Sequence, residues 1–422
     1  MQLFKYGMGF NYFPLMKNQN SRHTPPPIIR LKATRSYSHP WIFSKMVTFP
    51  YKRLENGSIV EIRSKDNEFI GYGTWHADQM VALRVISEDV DQPINEAFIR
   101  RRLERAHKLR NGLLNLTTQS DSYRLVHAEA DGLSGIIIDK LGDVLVIEPF
   151  SAGILSMADW LVAGLKNLYP NCKVGIRNAP KVETRENISL SDLINRYPLP
   201  DRTVVTENGL KFEVDFKTGH KTGFFLDQRD NRQLVSRMAA GATVFDLCCY
   251  TGGFALSALK GGARKVFAVD LDEEALVTAH ANAKLNNFPA GGQELEFIHA
   301  NTFDFLRKAI DDKKTADLVI LDPAKLAGVK DEISRAMRTY GDFNKLALQA
   351  VKHGGTLVTC SCSGLIPDDT FKSIVCRSAL ETGKELQFFQ MAGAGPDHPV
   401  SSIFPEGRYL KVIFARVFNR GA

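Results

Sequence analysis

Four apolar runs in the second half of this chain each carry a polar or acidic residue at or next to their end, and a turn or helix-forming stretch follows. They are Thr243-Val244-Phe245-Asp246-Leu247, Lys265-Val266-Phe267-Ala268-Val269-Asp270, Ala316-Asp317-Leu318-Val319-Ile320-Leu321-Asp322 and Gly355-Thr356-Leu357-Val358-Thr359. Runs apolar throughout, spaced by helices of ~10–15 residues, are strands buried on both faces, and such strands build βαβ units on a parallel sheet. The pattern predicts an α/β domain over residues 201–422, with any ligand at the carboxyl ends of the strands.

The rest of the chain reads differently. Residues 28–97 are β-like, with Ser58–Arg63 and Gln79–Ile86 alternating as half-buried strands do. Gly71-Tyr72-Gly73 is expected to turn or bulge between them, which predicts a small β-barrel. Residues 98–200 start with a basic helix over Phe98–Arg110. Strands at Arg124–His127, Gly135–Asp139, Val144–Ile147 and Lys173–Arg177 and a helix over Leu155–Leu168 complete a small α/β middle domain. Residues 1–27 hold no Asp or Glu and end in Pro25-Pro26-Pro27; with few arginines and no amphipathic period they read as a flexible extension, not a transit peptide.

Charge is unevenly distributed. Of the net +7, residues 1–110 carry 18 Lys and Arg against 10 Asp and Glu, a net of +8, and the remainder nets −1. An excess confined to the first quarter suits a phosphate-backbone partner, with Arg100, Arg101 and Arg102 on the basic helix as candidate RNA contacts. No apolar run approaches the ~20 residues that cross a bilayer, so no membrane partner is expected. The six cysteines show neither disulfide-framework nor zinc-finger spacing; reduced thiols, a cytoplasmic location and no metal site are the expectation.

The first strand of the α/β half leads into Cys248-Cys249-Tyr250-Thr251-Gly252-Gly253-Phe254. Glycines there let the backbone turn sharply and approach a ligand, but this is not the G-x-G-x-x-G of a pyrophosphate cradle. The second strand ends on Asp270, whose carboxylate can accept from both ribose hydroxyls. Asn301, after the strand Leu295–His299, can read an adenine edge through its amide. Acidic strand ends at Asp246 and Asp270 around a glycine turn favour a cationic nucleoside without phosphates, a description that S-adenosylmethionine fits. Each residue alone could equally be a helix cap.

Asp246–Asn286 resembles the cofactor motif of class I methyltransferases, which implies a Rossmann-like methyltransferase domain. Lys221-Thr222-Gly223-Phe224-Phe225-Leu226-Asp227-Gln228-Arg229-Asp230-Asn231-Arg232 is similar to the segment preceding the sheet in a group of bacterial ribosomal RNA methyltransferases. The resemblance implies that Phe224, Gln228 and Arg229, with Tyr250, Gly252 and Asp322, line the cofactor pocket. Leu321-Asp322-Pro323-Ala324-Lys325 then takes the place of the tetrapeptide facing the target base. Lys325 stands where amino-methylating enzymes carry an aromatic residue, and is a further candidate RNA contact.

The loop Thr359-Cys360-Ser361-Cys362-Ser363-Gly364 puts thiols at a strand end. Carbon 5 of cytosine is a poor nucleophile until a thiolate adds to carbon 6, so covalent catalysis is the chemistry a cysteine here suggests. A free thiol has a pKa of ~8.5, which the site must lower, with Lys325 or the cofactor's charge as candidates. Position alone leaves Cys360 and Cys362 open, as nucleophile or as buried small hydrophobe.

Ser361-Cys362-Ser363-Gly364 is similar to the loop of bacterial large-subunit ribosomal RNA cytosine-5 methyltransferases that carry an N-terminal PUA domain. By that resemblance the matching cysteine, Cys362, is the nucleophile; Asp322, from its own place at a strand end, is expected to hydrogen-bond the polar edge of the base. The likeness extends over Ser38-His39-Pro40-Trp41-Ile42-Phe43, similar to the opening of the RNA-binding PUA barrel, and over Arg124–Gly135. Gly395-Pro396-Asp397-His398-Pro399 and Pro405–Lys411 resemble its C-terminal signature. The chain departs from the family in reading Asp322-Pro323-Ala324 where members often have Asp-Pro-Pro. The implied function is 5-methylcytosine formation in large-subunit ribosomal RNA, a homodimer being compatible with the sequence. Its competitors are a purine-modifying RNA methyltransferase in which Cys362 is structural, and a non-catalytic RNA-binding ribosome assembly factor. Lys325 and the cysteine loop argue against the first, and intact Asp246, Gly252, Asp270 and Asp322 against the second.

Overall fold

The computed structural model describes residues 25–33, 38–217, 219 and 222–421; of the expected extension, residues 1–24 lie outside this set, as does Lys221. The first sheet has six strands, β1 (Ile28–Leu31), β2 (Trp41–Phe43), β3 (Val47–Thr48), β4 (Ile59–Arg63), β5 (Phe69–Trp75) and β6 (Val81–Ser87), in the order β2-β6-β5-β4-β1-β3. Its outer strands β2 and β3 are separated by only three residues, Ser44–Met46, so the sheet must curl round on itself. Ile29, Val60, Ile62, Trp75, Leu83 and Val85 fill the interior.

Gly71 and Gly73 do not form a turn. They lie within β5, where the pairing with β6 shifts register between Tyr72 and Gly73. A Cβ would sit 2.5 Å from the Ser87 carbonyl at Gly71 and 2.3 Å from that of Arg84 at Gly73. The glycines admit a bulge and a close strand approach.

Helix α1 (Glu96–His107) begins at Asn95, whose side chain accepts the Phe98 N–H, a usual N-cap. It packs with α2 (Ile154–Leu168) against the sheet β10-β9-β8-β7, made of β7 (Ser122–His127), β8 (Ile136–Leu141), β9 (Val144–Pro149) and β10 (Lys173–Ile176). Gly164 admits Leu103, whose Cδ1 would lie 2.7 Å from an added Cβ. The short helices α3 (Pro180–Glu186) and α4 (Ser191–Arg196) follow, then the hairpin β11 (Arg202–Glu207) and β12 (Leu210–Asp215). Asn208 and Gly209 turn it with both φ positive, 49° and 74°, as a two-residue hairpin turn requires.

The last part alternates α5 (Arg229–Met238), β13 (Thr243–Leu247), α6 (Gly253–Lys260), β14 (Lys265–Asp270), α7 (Glu273–Leu285), β15 (Glu294–His299), α8 (Thr302–Asp311) and β16 (Ala316–Leu321). It ends with α9 (Ile333–Ala350), β17 (Val351–Ser361), α10 (Asp368–Glu381), β18 (Lys384–Ala392) and β19 (Lys411–Asn419). The sheet order is β15-β14-β13-β16-β17-β19-β18, parallel except for β19, which runs antiparallel to both neighbours. The chain therefore winds outward from β13 in both directions and creates a crevice at the switch point between β13 and β16, where such sheets take ligands.

The three parts share buried contacts. Trp41 Nε1 donates to Glu129 at 2.9 Å, and its ring lies 4.8 Å from that of Phe404. Arg110, counted in the sequence on a cationic face, is fully buried: it follows the end of α1 and pairs with both oxygens of Asp131 at 2.6 and 2.8 Å. It also donates to the Asp397 carbonyl at 2.7 Å. Arg100 and Arg101 are exposed, whereas Arg102 is half-buried over the Phe98 ring at 4.8 Å.

Candidate active site and cofactor cavity

At the carboxyl ends of β13, β14 and β16 lies a cavity of about 550 Å³, within the size range of small-molecule sites. The turn after β13 shapes its floor. Cys248, Tyr250 and Gly252 all have positive φ, 63°, 50° and 82°, a cost that non-glycine residues bear mainly at functional turns. The turn survives because it is held from several sides. Asp270 accepts the Tyr250 N–H at 2.7 Å and the Asp272 N–H at 2.9 Å, and Asn282 donates to the Thr251 carbonyl at 3.0 Å.

The cavity brings together most of the residues singled out from sequence: Phe224, Gln228, Tyr250, Asp270, Asn301, Asp322, Lys325 and Cys362 all line it. Three others expected at the cofactor do not. Arg229 is turned away and buried, forming a two-pronged pair with Asp397 at 2.9 and 3.1 Å. The cofactor-lining position implied for it is corrected to a structural one, because an aspartate 168 residues further along claims its guanidinium. Asp246 lies beneath the wall, fully buried, with one oxygen accepting the Ala255 N–H at 2.8 Å and the other without a partner. Burial, with the charges of Asp322 and Asp270 adding, pushes its carboxyl up to about 8, against the Ala255 hydrogen bond. Gly252 caps α6 rather than lining the cavity.

At one end of the cavity, Asp270 spends one lone pair of each oxygen on backbone N–H groups and keeps others available. Asn301 N-caps α8 by accepting the Phe303 N–H at 2.9 Å, so the helix-cap role holds and its amide N–H₂ remains for a ligand. Phe225, Thr302, Phe303, Phe343 and Arg232 also line the walls and were not singled out from sequence. Arg232 forms a buried pair with both oxygens of Glu207, each at 2.7 Å, and lies 4.8 Å over the Phe224 ring.

At the other end, Gln228 Nε2 donates to Asp322 at 2.9 Å while its oxygen accepts from Asn231 at 2.7 Å. Cys362 follows β17, half-buried, with Sγ 4.0 Å from the Pro323 carbonyl. Ser363 Oγ holds the two loops together, accepting the Leu326 and Ala327 N–H groups at 3.2 and 3.1 Å and lying 3.1 Å from the Tyr340 hydroxyl. The thiols are not equivalent. Cys360 is fully buried, and burial with the Asp322 charge pushes its thiol up. Burial pushes Cys248 up to about 12 and Cys249 upward too. None of the six cysteines, all among the described residues, is in a disulfide.

A cavity with Asp227, Asp270, Asp272 and Asp322 in its walls, a partnerless buried Asp246 oxygen beneath and aromatic rings beside them suits a cationic nucleoside. A sheet wound outward from a left-handed glycine turn, with acidic strand ends, defines a nucleoside-binding protein of the methyltransferase class. The profile of the S-adenosylmethionine-dependent methyltransferase family matches residues 185–401, and that of the PUA-like domain residues 35–88. Ribosomal RNA large subunit methyltransferase I of Shewanella amazonensis is 38% identical over 395 residues, covering 92% of this chain and 99% of that protein. Its counterpart from Aeromonas hydrophila is 38% identical over 380 residues, covering 90% and 95%. A crystal structure of a candidate methyltransferase complexed with SAH aligns at TM-score 0.74 with 21% identity, covering 93% of this chain and all of that one. A candidate SAM-dependent methyltransferase from Streptococcus mutans aligns at 0.73 with 20% identity, covering 92% and 100%.

The chain belongs to the S-adenosylmethionine-dependent methyltransferase family, with a PUA-like domain at its N-terminal end, and S-adenosylmethionine is its cofactor.

Proposed function

We propose that this methyltransferase forms 5-methylcytosine in large-subunit ribosomal RNA, with Cys362 as the nucleophile. The single observation that carries the reading is that Cys362, Asp322 and Lys325 line the same cavity as Asp270 and Asn301, from the β16–β17 side of β13 and the β14–β15 side respectively. The curated relatives are named for ribosomal RNA of the large subunit, and that substrate class is adopted here.

The cofactor supplies an electrophilic methyl group on a sulfonium. Asp270 accepts from the ribose hydroxyls, Asn301 meets the adenine edge, and Phe224, Tyr250 and Gln228 complete the pocket. Asp246 acts from beneath, tying β13 to α6 through the Ala255 N–H. Cys362, as thiolate, adds to carbon 6 of the target cytosine, forming an S–C bond and leaving carbon 5 enamine-like. Once carbon 5 carries the methyl group its proton passes to solvent water, the electrons of that C–H bond re-form the carbon 5–carbon 6 double bond, and the S–C bond breaks to release the thiolate. Asp322, oriented by Gln228, hydrogen-bonds the polar edge of the base as charge develops, and Lys325, exposed at the mouth, meets a flanking phosphate.

The target base is presented unstacked, because a thiolate must approach carbon 6 from above the ring. The barrel over residues 28–97 and the basic start of the middle domain over 98–200, through Arg100, Arg101 and Arg102, hold the RNA for the methyltransferase domain over 201–422. A mechanistic test uses RNA in which the target cytidine carries fluorine at carbon 5. With no proton to lose, the adduct persists, and a denaturant-stable protein–RNA band is expected for the wild type and not for Cys362→Ala. An equal band in the variant contradicts the role given to Cys362.

A further inference from the structure

Lys411 opens β19 opposite Ser361 of β17. It is only 4% exposed, an unusual place for a lysine without a partner. Its Nζ donates to two backbone carbonyls, that of Ser363 at 2.7 Å and that of Tyr409 at 2.9 Å. Ser363 is the residue immediately after Cys362. Among the described residues no carboxylate oxygen forms an ion pair with Lys411, and the nearby Asp368 is engaged by Arg408 at 2.9 Å. A buried ammonium solvated only by carbonyls lacks the counter-charge that burial normally demands.

We propose that the Lys411 ammonium, buried behind the Cys362 loop, is a positive charge that favours the thiolate of Cys362. This rests on the reading of Cys362 as nucleophile. It also replaces the sequence-based expectation, which looked to Lys325 or the cofactor: Lys325 is exposed at the cavity mouth, where water screens it. Lys411 acts through Cys362 and is a positioning residue, not a group that touches the base.

Burial pushes the Lys411 ammonium down to about 8, while the charges of Asp368 and of ionised Cys362 oppose that change. Coupling is reciprocal: a thiolate that favours the ammonium is favoured by it to the same extent. Other charged or titratable groups act on the same loop. Asp322 at the end of β16, Tyr340 on α9 and Cys360 on β17 oppose a thiolate when ionised, and Asp368 on α10 faces Lys411 with Arg408. Of these only Arg408 is cationic, and it is exposed and paired to Asp368.

The test is the pH dependence of iodoacetamide alkylation at Cys362, read site by site by mass spectrometry on the full chain without RNA or cofactor. The wild-type midpoint is expected below the ~8.5 of a free thiol. Lys411→Met should raise it by about one pH unit, a roughly tenfold slower reaction at pH 7 with the same limiting rate at high pH. Lys411→Arg, which keeps the charge, should restore most of the effect. A loop clamp without electrostatic action would alter the limiting rate and leave the midpoint alone. A wild-type midpoint at or above that of a free thiol overturns the proposal without any variant, as does an unchanged midpoint in Lys411→Met. Methyl transfer that persists in Cys362→Ala would instead overturn the nucleophile role, whatever the alkylation shows.

Discussion

Asp397 gathers charge from two parts of the fold, and its removal is the sharpest perturbation of the structure. Its oxygens receive the two-pronged Arg229 guanidinium at 2.9 and 3.1 Å and the Arg124 N–H at 2.9 Å, while Arg110 donates to its backbone carbonyl at 2.7 Å. Asp397 and Arg229 are at most 1% exposed. Asp397→Ala strands a buried guanidinium, which costs about 3–5 kcal/mol, and the orphaned Arg124 N–H pushes the loss towards the upper end. Urea unfolding of the full chain at pH 7 is the assay, with Asp230→Ala as control. Asp230 also pairs with Arg229, at 2.9 Å, but is half-exposed, and its loss should cost about 0–1 kcal/mol. Replacing both partners, as Arg229→Met with Asp397→Leu, should recover much of the loss because no charge is stranded.

The pH dependence has a definite sign. Burial alone would raise the Asp397 carboxyl, but His398 and Arg229 outweigh it and hold it well below the usual range. Its contribution is therefore present above the unfolded pKa of ~3.9 and fades as pH falls through the lower folded value. The gap between wild type and Asp397→Ala should narrow below about pH 4. A loss under about 1 kcal/mol at pH 7, equal to that of the Asp230 control, would refute the reasoning.

Further expectations concern the cavity and the basic surface. Asp246, whose folded carboxyl is raised, contributes stability below ~3.9 that is lost as pH rises through about 8. Asp246→Asn should make the cofactor-free protein more stable than wild type above pH 8 by a few kcal/mol, and a melting series showing no gain there contradicts this. Asp270→Ala removes a charged hydrogen-bond acceptor and should weaken cofactor binding by about 10–100-fold; calorimetry giving an unchanged Kd would remove it from the site. Arg100→Ala with Arg101→Ala should flatten the dependence of log RNA affinity on log salt by about 1–2, while Arg110→Ala should act by destabilising the fold. An unchanged slope in the double variant would move the RNA surface elsewhere.

What the sequence disclosed follows from what is local. Asp246, Asp270, Asp322 and Cys362 stand at ends of apolar runs, and the turn after β13 carries its glycines in the text, so the sheet and the lip of the cavity were legible. The Asn208-Gly209 signal would have yielded the β11–β12 hairpin, and with it the platform for Glu207. Buried arginines were not legible. Arg110 and Arg229 read as solvated or ligand-facing cations and Arg232 was passed over, because their partners Asp131, Asp397 and Glu207 are 21, 168 and 25 residues away, beyond any periodicity. Gly71 and Gly73 were legible as a turn or a bulge, and the bulge is what forms; the close strand approach was not, since the Ser87 and Arg84 carbonyls that exclude a side chain belong to another strand.

The central claim is that Cys362 makes this family member a cytosine-5 enzyme. Unmodified large-subunit ribosomal RNA, incubated with methyl-labelled S-adenosylmethionine and digested to nucleosides, tests it in one measurement with wild type and Cys362→Ala in parallel. The account predicts label in 5-methylcytidine with wild type and none with the variant. Label in a purine nucleoside, or in 5-methylcytidine irrespective of Cys362, would contradict it.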